Sequence, residues 1–266
     1  MSKNKFISLS SGSNGNCYYI GNGDTGLLID VGIGGRTIKK RLQEYNVDIK
    51  SIKMILVSHD HFDHIKYLQS VATKLSVPVY GTALLHNSLY KHKCTQEGLG
   101  GCKRVIKNNE ENVNLGISFT SFHVSHDASD CVGYYIDFKG EKFVFMTDIG
   151  DFSDEACSYA RKADHLVLES NYDVDMLMNG SYPPLLKNRV MGPTGHLSNE
   201  QCASALIRSY HEGLKNVFLC HLSEQNNTPE LAYHGASIAL KSIDVMVGKD
   251  VFLTCLPRKS SFLREF

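Results

Sequence analysis

The spacing of hydrophobic and polar positions changes period several times along the chain. Three short apolar runs come first, at residues 6–9, 17–21 and 26–31, separated by Gly, Asn and Ser turns, and each predicts a strand. Residues 53–58 predict a fourth. Ile65, Leu68, Val71, Ala72 and Leu75 then recur at helical spacing, which predicts a helix over residues 64–75. A strand at 77–80 and a helix at 83–91 follow, and then a polar, Gly-rich stretch over 94–116. Further strands are expected at 117–124, 131–138 and 141–147, with Lys139-Gly140 as the hairpin turn between the last two. Beyond them, helices and strands alternate: 153–161 with 165–169, 198–211 with 216–220, and 228–247 with 251–255. Ser198 and Gln201 form a capping box, and Thr228-Pro229-Glu230 has the composition of a helix start. Residues 171–197, with Pro183, Pro184 and Pro193, are expected to be a long surface loop. A strand-rich half followed by a mixed half predicts an α/β architecture, two packed sheets with helices outside, as a four-layer α/β/β/α sandwich.

Composition narrows the partners. Twenty-eight basic residues balance 28 acidic ones in 266, so no global field attracts nucleic acid or membrane. No apolar run follows the N-terminal residues 1–6, and none elsewhere reaches ~18 residues. A soluble, cytoplasmic protein without a membrane partner is expected. None of the eight cysteines forms a CxxC pair, and several sit in apolar runs, so reduced buried thiols are expected. Cys94 and Cys102 flank a Gly-rich loop, and nothing requires them to pair.

The chemistry concentrates in Ser58-His59-Asp60-His61-Phe62-Asp63-His64. His59 and His61 are two apart after a strand and point the same way, so they can grip one metal ion together. Asp63 and His64, at the turn into a helix, can reach a second. Imidazole and carboxylate suit zinc, and also manganese or iron. Four other apolar runs end in one metal-binding side chain each: Asp30, His126, Asp148 and His221.

That order of residues resembles the metallo-β-lactamase superfamily in its dinuclear hydrolase branch. The resemblance implies that His59, His61 and His126 hold one ion and that Asp63, His64 and His221 hold the other, with Asp148 bridging. Asp30 would orient the histidine loop, with Glu169 in a similar supporting part. His123 is a rival to His126, but Val124-Ser125-His126-Asp127 matches the family pattern better. The segments Ser10-Ser11-Gly12-Ser13-Asn14-Gly15-Asn16, Leu168-Glu169-Ser170-Asn171-Tyr172-Asp173, Gly192-Pro193-Thr194-Gly195-His196-Leu197-Ser198-Asn199 and His221-Leu222-Ser223-Glu224-Gln225-Asn226-Asn227 resemble the YycJ/WalJ-like subfamily. This implies a 5′→3′ exonuclease acting on DNA through a metal-bridging hydroxide. Asp63 and His196 are the expected catalytic residues, His196 as proton donor to the leaving oxygen. Ser11, Ser13, Asn14, Asn16 and Asn226 are expected to meet the phosphate or DNA. Lys187, Arg189, Arg258 and Lys259 are candidates for backbone contacts, while Tyr172 and Tyr182 read first as core or surface tyrosines and second as base-stacking residues. The span between Asp148 and His221 is too short for an inserted β-CASP-type domain, so residues 1–266 are expected to be one domain. The competing readings are a glyoxalase-like thioester hydrolase and, further off, a tRNA 3′-processing ribonuclease, whose long flexible arm has no counterpart here.

Overall fold

A computed structural model describes residues 3–266, so the first two residues of the N-terminal segment lie outside the description. The strands in chain order are β1 (Lys5–Ser10), β2 (Cys17–Gly21), β3 (Gly26–Ile29), β4 (Ile52–Leu56), β5 (Val79–Thr82), β6 (Lys103–Ile106), β7 (Glu111–Asn114), β8 (Ile117–His123), β9 (Val132–Phe138), β10 (Glu141–Met146), β11 (His165–Glu169), β12 (Asn216–Cys220), β13 (Phe252–Cys255) and β14 (Phe262–Glu265). The helices are α1 (Gly35–Gln43), α2 (Phe62–Ile65), α3 (Leu68–Leu75), α4 (Ala83–Leu89), α5 (Asp154–Ala160), α6 (Val174–Asn179), α7 (Pro184–Met191), α8 (Asn199–Ser209) and α9 (Pro229–Lys241).

Among the described residues these strands make two seven-stranded sheets, each the centre of its own compact unit. The first unit comprises the chain up to Lys107, the short segment Ala128–Asp130 and the tail Pro257–Phe266. Its sheet runs β14-β1-β2-β3-β4-β5-β6, antiparallel through β3 and parallel from β3 to β6. The parallel strands β3 and β4 are almost wholly buried, as a sheet covered on both faces requires. Ile38 and Leu42 of α1 and Leu68, Val71 and Ala72 of α3 join Leu28, Ile55 and Val57 in one apolar core. Stacked apolar side chains of this kind contribute roughly 1.5–3 kcal/mol each on burial.

The second unit is Asn108–Asp127 with Cys131–Leu256, and its sheet runs β13-β12-β11-β10-β9-β8-β7. β10 to β13 are parallel, and every residue of β11 and β12 is buried. β7, at the edge, alternates exposed and half-buried residues. The expected Lys139-Gly140 turn joins β9 to β10, with Lys139 at φ 54° and Gly140 at φ 90°. The capping box of α8 closes as expected, with the Ser198 hydroxyl accepting from Gln201 N and the Gln201 side chain accepting from Ser198 N.

Several expectations need correction. The loop expected over residues 171–197 contains α6, capped by Asp173, and α7, which has Pro184 in its first turn. Three prolines suggested irregularity, yet Pro at a helix start is favourable because its missing N–H has no partner there. The helix expected over 64–75 is broken after Ile65, where the Tyr67 N–H leaves the helical ladder to bond the carbonyl of Val31. The helix expected over 228–247 stops at Lys241. The stretch 94–116 contains β6 and β7, and β14 was not anticipated. These strands are short and polar, and their partners rather than their own patterns define them. All eight cysteines are free thiols.

His165 on β11 gives the second unit a pH dependence. Burial pushes its pKa from 6.5 down to about 4, against the opposing pull of Glu141, which accepts from its Nε2. The unfolded chain therefore takes up a proton that the folded chain refuses as pH falls through that window. Stability is whole above pH 6.5 and is lost between there and pH 4. Between pH 7.5 and 4, urea denaturation should show the wild type losing roughly 2–3 kcal/mol more than His165→Gln. Equal losses would contradict the assignment.

Candidate metal centre

In the first unit the ligand loop is built where β4 ends. His59 and His64 are fully buried, and His61 and Asp63 are partly so. The His59 ring centroid lies 4.7 Å from that of His61 and 4.0 Å from that of His64. His61 caps α2 in extended conformation, so Asp63 falls in the first turn, where the amide N–H groups favour a negative charge.

Asp30, fully buried at the end of β3 and held at φ 58°, organises this loop. Its Oδ1 accepts from Ser58 N (2.8 Å), and its Oδ2 accepts from Ser58 Oγ (2.7 Å) and His64 Nδ1 (2.7 Å). Because the Ser58 hydroxyl donates to Asp30, it is an acceptor toward His59 Nδ1 at 2.9 Å. Both rings are therefore protonated on Nδ1 and carry their lone pair on Nε2, the form a metal needs. One further contact shows where lone pairs converge. The amide nitrogen of Asn16 reaches Asp63 Oδ2 at 3.0 Å and His64 Nε2 at 2.9 Å. Gly32 allows this packing, since a Cβ there would lie 1.7 Å from Asp63 O.

The second unit gathers its donors at the ends of β8, β10, β11 and β12. Asp148, Glu169, His196 and His221 bring ligand atoms within 4.8 Å of one another. Glu169, fully buried, plays the part that Asp30 plays in the first unit. Its Oε1 faces His196 Nδ1 (2.7 Å) and His221 Nδ1 (2.8 Å), and its Oε2 accepts from Ile149 N and Leu197 N. Burial opposes charge on both members of the Glu169–His196 pair, but their mutual attraction wins. It lowers the carboxyl pKa and raises that of the imidazole. Asp148 Oδ1 stands 3.1 Å from His221 Nδ1 and 3.8 Å from His126 Nε2. His126 donates from Nδ1 to the carbonyl of Gly195 at 2.8 Å, and burial lowers its pKa, favouring the neutral ring. His221, like Asp30, has a positive φ, 52°, a costly conformation that such sites retain.

These two donor sets fit divalent cations. His59, His64, His126 and His221 are buried with their Nδ1 atoms held by oxygen acceptors, while carboxylates stand beside them. His126 is buried and among the donors, whereas its rival His123 ends β8 exposed. His196 stands among the second unit's donors, its ring 4.9 Å from His126 and 5.4 Å from His221.

The residues expected to meet DNA divide by exposure. Ser13 and Asn14 are exposed at the tip of the Gly/Ser loop. Ser11 is buried against the Tyr18 hydroxyl at 2.8 Å, and Asn16 is buried under the ligands. Asn226 is buried, its N–H on Ser223 Oγ and its carbonyl accepting from Asp173 N. Arg189 is paired with Asp127, Lys187 donates to Met178 O, and Tyr172 lies in a small core with Leu177 and Val190, against which Tyr182 packs. Sequence reasoning gave no part to Ser58 as relay, to Gly195 as acceptor, or to Asn171, whose amide donates to His221 O at 2.8 Å. Asp60 was also overlooked. It is buried in the ligand loop and bonded to Ser129 N, Ser129 Oγ and His92, and those bonds outweigh burial and lower its pKa to about 2. A polar residue next to a ligand was its only signal.

Comparison with known proteins agrees with this chemistry. A family model described as a β-lactamase superfamily domain matches residues 25–221, a span that holds both donor sets, and the chain belongs to that superfamily. Over 246 residues it is 34% identical to exodeoxyribonuclease WalJ of Streptococcus pneumoniae, covering 92% of this chain and 91% of that protein. Over 248 residues it is 33% identical to exodeoxyribonuclease YycJ of Bacillus anthracis, covering 92% of each, which supports placing it in the WalJ/YycJ-like subfamily. The zinc-bound PqqB structure from Methylobacterium extorquens superposes with a TM-score of 0.71 at 15% identity, covering 98% of this chain and 100% of that one. The fold is thus the metallo-β-lactamase fold expected from the sequence, and with the donor sets it defines a metal-dependent hydrolase.

Loss of the Asp30 carboxylate should show in metal affinity before it shows in fold. Asp30→Asn should weaken divalent-ion binding about 10–100-fold in a chelator competition. Wild-type affinity in that variant would contradict the orienting role.

Proposed function

We propose that the chain is a dinuclear phosphodiesterase, a 5′→3′ exonuclease on DNA, with zinc or manganese as its ions and iron as a further candidate. His59, His61 and His126 would hold one ion, and Asp63, His64 and His221 the other, with Asp148 shared. The observation that carries this reading is the matched state of the two donor sets. In each, a buried carboxylate holds one proposed ligand ring through Nδ1, Asp30 holding His64 and Glu169 holding His221, with Nε2 left for a cation. The preference for DNA rests on the relatives named exodeoxyribonucleases, which align over nearly the whole chain. Among the described residues no helix is long and apolar enough to cross a membrane, and the free thiols favour a cytoplasmic setting.

When bound, the ions would acidify water toward a pKa of ~7 and neutralise charge on the phosphate oxygens. The protein supplies the rest. Asp30 and Glu169 keep the ligand rings in one tautomer and orientation. His196 is anchored through Nδ1, so its Nε2 is the nitrogen left to give a proton to the leaving oxygen. The exposed Ser13 and Asn14 would meet the phosphate with hydroxyl and amide groups, at the tip of a loop whose Gly15 packs closely on Gly32.

Metal analysis combined with a nuclease assay tests the proposal. Wild-type protein should carry two ions and release nucleotides from 5′-phosphorylated DNA. His61→Ala and Asp148→Ala should both abolish hydrolysis and lower metal content. His196→Ala should cut the rate about 10²–10⁴-fold with metal content intact. Turnover of S-lactoylglutathione with no attack on end-labelled DNA would replace this reading with that of a small-molecule hydrolase.

A further inference from the structure

Helix α1 has the sequence Gly-Arg-Thr-Ile-Lys-Lys-Arg-Leu-Gln, with four cations and no acid. Ile38 and Leu42 are buried in the core, so the exposed Arg36, Lys39 and Lys40 face solvent. On one flank of the helix an open groove of about 470 Å³ is lined by Arg36, Lys40, Arg41, Glu44 and Lys259, with the hydroxyls of Thr37, Ser260 and Ser261. On the other flank a second groove, about 340 Å³, holds Arg36 again with Lys39 and Lys74, beside the apolar Ile49, Val71 and Leu75. In a chain of zero net charge this is local segregation, and only Glu44 opposes it in the first groove.

The basic face is tied to the ligand set of its own unit by a continuous series of contacts. The Arg41 guanidinium donates to the carbonyls of Leu9 and Lys259, fastening the C-terminal segment to the start of the Gly/Ser loop. Ser10 Oγ donates to Arg258 O at 2.9 Å, and the Arg258 stem lies over Gly12, its Cγ 3.2 Å from where a Cβ would stand. The far end of that loop is Asn16, bonded to Asp63 and His64.

We infer that the solvent face of α1 and the adjoining C-terminal segment form the track that holds the phosphate backbone of a DNA strand as it leaves the ligand loop. The inference rests on the phosphodiesterase reading and adds to it where the substrate lies. The first groove has no apolar side chain, so a peptide would find no anchor there. Guanidinium, ammonium and hydroxyl groups match phosphate oxygens and carry no sequence information, as an exonuclease indifferent to sequence needs.

Fluorescence anisotropy with a labelled single-stranded oligonucleotide tests the track on the full chain. Asp148→Ala serves as the background, so that bound DNA survives. Adding Arg36→Ala, Lys40→Ala and Lys259→Ala should weaken binding at least about tenfold and flatten the logarithmic salt dependence by about 2, at ~0.7 per lost contact. Adding Lys162→Ala, Lys241→Ala and Lys249→Ala, exposed in the second unit, should leave the background affinity unchanged. Background affinity and salt slope in the first triple variant would overturn the track, as would equal weakening in the second. DNA bound through α1 without any nucleotide release by the wild type would sink the exonuclease reading and leave the track standing. Nucleotide release with the first triple variant unaffected would do the reverse.

Discussion

A fully buried carboxylate is tolerated only when its oxygens are saturated with donors. Each unit of this protein is arranged around one. Asp30 collects Ser58 and His64, and Glu169 collects His196, His221 and two backbone amides. Among the donors that satisfy these acids are His64 and His221, both expected to hold metal, so hydrogen bonds that permit burial also set tautomer and direction. Removing either acid would leave donors without acceptors and ligand rings free to turn. The positive φ values of Asp30 and His221 follow from the same demand, because the chain must turn sharply at a strand end to aim these groups.

The sheets make this possible. Parallel strands β3, β11 and β12 are buried along their length, β4 nearly so and β10 from Phe143 onward, and their exits deliver Asp30, the histidine loop, Asp148, Glu169 and His221. Rigid strands fix where each ligand begins, and short turns decide where it points. Gly32 and Gly195 matter for that reason. A Cβ at either would strike backbone oxygen within 2.3 Å, so only glycine lets the ligand-bearing turns close on their neighbours.

Much of this was legible in the sequence. The dense His59–His64 cluster and the single ligands at the ends of apolar runs carried the donor sets, because strand exits are readable from hydrophobic runs. His196 was also legible, although its pairing with Glu169 was not, since that contact joins residues 27 apart. Ser11 and Asn16 look like a phosphate loop in sequence, yet they are turned inward. A Gly/Ser motif specifies a tight turn without saying which side chains remain outside. α6, α7 and the polar strands β6, β7 and β14 escaped because tertiary pairing, and not local pattern, defines them. α1 escaped as well, with Gly34-Gly35 at its start and only Ile38 and Leu42 buried, and the neutral total charge hid its basic face.

The imidazole tautomers decide whether the site is prepared for metal. Long-range nitrogen–proton NMR on metal-stripped protein at neutral pH reads them one ring at a time. His59, His64, His126 and His221 should each carry their proton on Nδ1, with Nε2 unprotonated. Protons on Nε2 in these rings would contradict the claim that Asp30, Glu169 and the Gly195 carbonyl prepare the site for metal.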